Sequence, residues 1–121
     1  MKESFKNRAI ENLEAAEILF ENGKYNASAN RAYYAAFHSA IAAVYSAGIN
    51  PTIDHKSIHT LFSDYYFNRR KIINSKYKGF LSDLQDKRNH ADYRLGVSKK
   101  VSRQQLFNAR EFVNLVLKVI E

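Results

Sequence analysis

The chain has 121 residues, of which 19 are Lys or Arg and 12 Asp or Glu, and its 45% hydrophobic and 26% charged content is that of one ordinary globular domain, not of a disordered or fibrous chain. It contains no cysteine, which excludes disulfides, thiol nucleophiles, iron–sulfur clusters and Cys-containing zinc sites, and the expected compartment is the reducing cytoplasm. No apolar run reaches the roughly 20 residues needed to span a bilayer, and the start of the chain lacks the apolar core of a signal peptide, so a soluble, untargeted protein is expected.

The formal net charge of +7 is unevenly placed. Residues 1–22 carry five acidic and three basic side chains, net −2, whereas residues 69–103 carry eleven Lys or Arg against Asp83, Asp86 and Asp92, net +8. Such concentration suits a polyanion or an acidic partner; solvated lysines on a helical surface are the plainer alternative. With 4 Gly and 1 Pro there is little material for tight hairpins, and helix formers are abundant, so the expected fold is all-α.

Taken in order, Phe5, Ala9, Leu13, Ala16 and Phe20 recur at steps of three and four and predict an amphipathic helix over 3–22, stopped by Gly23. A second helix over 25–47 follows at once and must lie antiparallel to the first. Its broad apolar face is rich in alanine (Ala29, Ala32, Ala36, Ala40, Ala43), which permits close helix approach. Beside that face runs a mixed row, Arg31, Tyr34, His38, Ile41 and Tyr45, that needs a partner. Asp54 is a plausible N-cap for a third helix over 55–67. A fourth, over 76–95, places Arg88 in the same stripe as Leu81, Leu84 and Ala91, so its guanidinium should be partly buried. Ser102 and Gln105 resemble a capping box opening a fifth helix, about 103–120, whose end is apolar on more than one face and calls for a central position or a dimer interface.

Two groupings carry chemistry. In Asp86-Lys87-Arg88-Asn89-His90-Ala91-Asp92-Tyr93-Arg94, Asp92 lies one helical turn beyond Arg88 and can orient its guanidinium, with His90 and Tyr93 close by. An arginine so fixed can bind a phosphate bidentately, and an adjacent imidazole or phenol can move protons; an ion pair at a bundle seam is the structural alternative. Arg31, Tyr34 and His38 form the second polar row, and adjacency of the second and fourth helices would let both rows line one groove. His55 and His59 are four apart, but a zinc site needs a third ligand and Lys56 stands where a zinc-protease motif has Glu, so no metal site is expected. The four glycines are isolated, which excludes glycine-rich phosphate loops.

The run Asn30-Arg31-Ala32-Tyr33-Tyr34-Ala35-Ala36-Phe37-His38, the Asp54-His55-Lys56 helix opening, and Arg88 followed by Ala91-Asp92-Tyr93 resemble, in that order, the small HEPN proteins (higher eukaryotes and prokaryotes nucleotide-binding). The resemblance spans nearly the whole chain. It implies an up-and-down bundle of four main helices plus one additional helix in a single domain over 1–121, commonly a homodimer. It also implies two functions. Some members are metal-independent ribonucleases with an Arg followed, after four to six residues, by His; others are partners of a minimal nucleotidyltransferase in toxin–antitoxin pairs, with nucleotidylation of Tyr93 as a further possibility by analogy. Here the windowed positions after Arg88 are Tyr93, Arg94 and Leu95, and none is His. The expectation is therefore a module binding nucleotide or RNA phosphate, without a cofactor, through Arg31, Tyr34, His38, Arg88, Asp92 and Tyr93. The enzymatic alternative is an endoribonuclease drawing its machinery from Arg88, His38, Tyr93 and His90.

Overall fold

The stripe of Phe5, Ala9 and Ala16 is buried along one side of the first helix, α1 (Lys2–Glu21). In the computed structural model, which describes residues 1–121, every regular element is helical. Gly23 ends α1 at φ 76°, a left-handed conformation that costs a glycine nothing sterically. Its N–H donates to Phe20 O at 3.0 Å and that of Lys24 to Leu19 O at 2.8 Å, the double closure that satisfies a helix's last carbonyls. The chain then turns straight into α2 (Tyr25–Ser46), antiparallel against α1.

α2 is the spine of the bundle: it packs against α1, α3 (His55–Ser63), α4 (Phe80–Tyr93) and α5 (Lys99–Val119). Its alanines explain why one helix can touch so many. Ala32, Ala36, Ala40 and Ala43 are wholly buried and hold neighbouring backbones close, while Tyr33, Ile41 and Val44 fill the gaps between them. Around this spine Phe62, Phe67, Leu84, Leu106, Phe112 and Val116 complete a hydrophobic cluster of 23 buried residues. No helix is long and apolar enough to cross a membrane.

Four boundaries differ from the sequence reading. α3 ends at Ser63, and the chain widens into a π-helical turn over Asp64–Arg69, pinned where the Tyr66 hydroxyl donates to Ala43 O at 2.7 Å. A 3-10 turn over Ser75–Tyr77 precedes α4, which runs from Phe80 to Tyr93 and so is shorter at both ends than 76–95. α5 begins at Lys99, four residues before the expected start. Ser98 is its N-cap, accepting from Val101 N–H at 3.1 Å. Ser102 and Gln105 are therefore interior helix residues, both buried, and the Ser102 hydroxyl donates instead to Tyr25 O at 2.9 Å. The spacing of a capping box was present, but tertiary contact with α2 claimed the serine.

The α4–α5 connection is held to α2 by Asn26, whose Oδ1 accepts from Val97 N–H at 2.8 Å. Gly96, at φ 91°, makes this possible, because a Cβ there would stand 2.9 Å from the Asn26 side chain. The apolar end of α5 is accounted for largely inside the chain: Phe112, Val113, Val116 and Ile120 are buried, and Leu115, Leu117 and Val119 pack at the margin of the core.

Candidate functional site

Arg88 sits about one and a half turns from the C-terminal end of α4, where the helix crosses α2, and its position in an otherwise apolar stripe leaves its side chain only 16% exposed. A buried guanidinium is costly unless its donors are matched. Nη2 donates to the Tyr34 hydroxyl and Nη1 to Asn89 Oδ1, each at 3.1 Å. Nε lies 3.0 Å from Asp92 Oδ2, yet it is without an aligned hydrogen bond, so that contact is ionic and poorly directed. The same carboxylate oxygen accepts from Asn30 Nδ2 at 2.7 Å, tying α4 to α2. Two tyrosine rings flank the cation, with Tyr34 5.3 Å and Tyr93 5.4 Å from the guanidinium carbon, and Tyr93 is 72% exposed.

The structure divides the sequence-nominated residues between two neighbouring clusters. Tyr34, Arg88, Asp92 and Tyr93 meet as described, joined by Asn30 and Asn89 from the same two helices. Arg31 and His38 turn toward α1: Arg31 Nη1 donates to Asn12 Oδ1 at 3.0 Å, and Asn12 Nδ2 lies 3.2 Å from His38 Nδ1. Tyr34 joins the two groups, its ring 6.1 Å from that of His38. His90 points elsewhere, 3.9 Å from Asp86 on the outer face of α4. Asn12 carried no sequence signal, because its role arises only once α1 lies against α2.

A third set was not nominated as catalytic or ligand-binding. The short α3 buries Ile58 and Phe62, and its histidines come to the α2 side as a consequence of the same helical spacing. There the Tyr33 hydroxyl contacts His55 Nδ1 at 2.6 Å and His59 Nε2 at 3.0 Å. His55 stacks on Phe37 with ring centroids 4.7 Å apart and meets the Tyr34 ring edge-on at 6.1 Å. No group of three or more His, Asp and Glu side chains converges in the chain. The two-histidine spacing was legible; that its target is a tyrosine was not.

Burial and charge set the protonation of these groups. Burial, with Tyr34 reinforcing it and Arg88 opposing it, pushes the Tyr33 phenol well above its usual range. His55 is held below the ordinary imidazole value by burial first and then by Arg88, with Asp54 opposing. Burial also lowers His59, aided by His55, and His38, aided by Arg8. All three histidines are thus favoured neutral in the fold. The unfolded chain takes up more protons than the folded one below pH 6.5, so stability contributed here is full above that pH and is lost as pH falls through the folded-state values. The melting temperature should fall between pH 7 and pH 5, and His59→Gln should flatten that dependence; a parallel pH profile in the variant excludes the linkage.

A model of the HEPN domain matches residues 3–121. The chain belongs to the HEPN domain family. Among its relatives is the "Putative toxin MJ0605" of Methanocaldococcus jannaschii, 33% identical over 114 residues, which cover 93% of this chain and 84% of that protein. A 58-residue segment is 40% identical to the "UPF0332 protein PH1297" of Pyrococcus horikoshii, covering 48% of this chain and 40% of that one. As a HEPN bundle, the chain carries its Arg88 cluster on α2 and α4, beside the histidines of α3.

Proposed function

We propose that this HEPN protein is a toxin-type module that binds the phosphate of a nucleotide or of RNA at Arg88. One observation carries the reading. The guanidinium is held by Tyr34, Asn89 and Asp92, yet its five N–H donors outnumber the two aligned hydrogen bonds it makes, which leaves donors for a phosphate. Exposed Tyr93 supplies a face on which a base can stack, and the basic 69–103 segment supplies the field that attracts a polyanion. The toxin name of the Methanocaldococcus relative supports a module working with an antitoxin. A minimal nucleotidyltransferase is the partner the family resemblance favours, with two copies of this chain in the complex. A metal-independent endoribonuclease at the same site is the second reading, supported by His55, whose ring meets that of Tyr34, the acceptor of Arg88, and which burial holds below the ordinary imidazole value.

Fluorescence anisotropy with labelled RNA and with nucleotides, repeated across a salt series, tests the binding. The expected result is saturable RNA binding that weakens steeply as salt rises. A flat salt response, with an acidic protein co-purifying instead, replaces the nucleic acid by a protein partner.

A further inference from the structure

Two buried side-chain atoms in the chain lack a hydrogen-bond partner, Arg88 Nε in the seam already described and Gln105 Oε1 on α5. Gln105 is 3% exposed, and the three other buried polar side chains, Ser28, Ser39 and Ser102, all donate to backbone carbonyls. An unmatched buried carbonyl is costly and rare in a native structure. The amide cannot simply be turned over, because its Nε2 donates to Asp83 Oδ2 at 3.4 Å and the reverse orientation sets two oxygens against each other.

Gln105 forms the floor of a cleft of about 460 Å³ between α4 and α5, several times what one water needs. Asp83 and Lys87 stand on its α4 wall, and Lys100, Gln104 and Asn108 on its α5 wall. Of the seven lining residues only Val101 is apolar and none is aromatic, so the cleft has no face on which a base can stack and little to hold an apolar side chain. What it presents is a carbonyl in need of a hydrogen, and two cations against one carboxylate. Lys87 is engaged with Asp83 at 3.2 Å, whereas Lys100 is exposed and makes no ion pair. Lys100 also lies in the first turn of α5, where the helix dipole favours an anion. A donor with its own positive charge is repelled by both lysines; a neutral donor carried on an anion is attracted. A hydroxylated phosphate combines the two compactly.

Extending the reading of Arg88 as a phosphate-binding group, we propose that the α4–α5 cleft is a second subsite that takes a ribose phosphate unit, with a ribose hydroxyl donating to Gln105 Oε1 and Lys100 holding the adjacent phosphate. The unit comes from an RNA strand or from a free sugar phosphate. On a strand, Gln105 is then the residue that separates RNA from DNA. The amide can turn to its ligand because its one tie, the bond to Asp83, is long, and the terminal torsion of a glutamine is soft. Asn108 engages only its Oδ1, which accepts from Gln104 at 2.9 Å, and its Nδ2 hydrogens are left for a further ribose oxygen.

Fluorescence anisotropy on the full chain compares one labelled single strand as RNA, as DNA and as 2′-O-methyl RNA. Wild type should bind the RNA about two- to tenfold more tightly than either, the range expected of one hydrogen bond. Gln105→Met keeps the side-chain volume and should lose that preference with the melting temperature kept; Lys100→Ala should weaken all three strands alike and lower the salt slope by about 1. Arg88→Ala should weaken every strand and leave the ratio standing, which separates the two sites. Ribose 5-phosphate tests the free source by calorimetry: binding to wild type and not to Gln105→Met assigns the cleft to the sugar phosphate, and if no strand binds, that result overturns the Arg88 reading alone. Equal affinity for the three strands, or a preference that survives in Gln105→Met, together with no binding of ribose 5-phosphate, overturns the subsite and leaves the Arg88 reading in place. Under those results, binding of a glutamate-rich peptide that Lys100→Ala abolishes would give the cleft to a protein instead.

Discussion

Arg88→Ala should weaken binding of RNA or nucleotide phosphate by about ten- to a hundredfold, the worth of roughly 1.5 to 3 kcal/mol for hydrogen bonds to charged groups. Its guanidinium is the one cation of the α2–α4 seam held on three sides by the protein, by Tyr34, Asn89 and Asp92, so its orientation is fixed before the ligand arrives. Arg88→Lys keeps the charge but loses the planar fork and the contact with Tyr34, and should recover only a minor part of the affinity. In either variant Asp92 keeps Asn30 as a partner at 2.7 Å, so thermal melts can separate the loss of ligand contact from a loss of fold. Wild-type affinity in Arg88→Ala would move the site elsewhere on the molecule.

Phe112→Ala should destabilise the protein by about 3 to 5 kcal/mol, a large part of the roughly 5 to 15 kcal/mol that holds a domain folded. Phe112 is 1% exposed, and its ring lies 5.6 Å from Phe62 and 6.4 Å from Phe80, so it joins α5 to α3 and to the start of α4 at one point. Truncation opens a void between three elements whose backbones are fixed by the alanine-lined spine and cannot close over it. Denaturant unfolding gives the value directly. A loss below about 1 kcal/mol would mean that the bundle repacks, which the size of the neighbouring aromatics opposes.

Helix periodicity alone placed all five helices, and the reason is local. A repeat of three and four apolar residues is written within each element, as in Phe5, Ala9 and Ala16 of α1 or Leu81, Leu84 and Ala91 of α4, and needs no neighbour to be read. The ends were less legible, because a cap is a contest among adjacent polar side chains. Ser98 and Ser102 both had the chemistry to open α5, and burial of Ser102 against Tyr25 O decided for Ser98. The π-helical turn after α3 likewise has a cause outside its own residues, the bond from Tyr66 to Ala43.

For the site, the sequence by itself determined the pairing of Arg88 with Asp92, since residues four apart on one helix meet wherever that helix goes. It also determined that two histidines would share a face of α3. Only the tertiary structure decided what stood opposite them. The crossing of α2 with α4 put Tyr34 and Asn30 against the Arg88 cluster, and the contact of α2 with α1 turned Arg31 and His38 toward Asn12. The docking of α3 set Tyr33 between His55 and His59. Each of these contacts joins residues 19 or more apart in the chain, and which of them meet is fixed by helix crossing, which no spacing within one helix encodes.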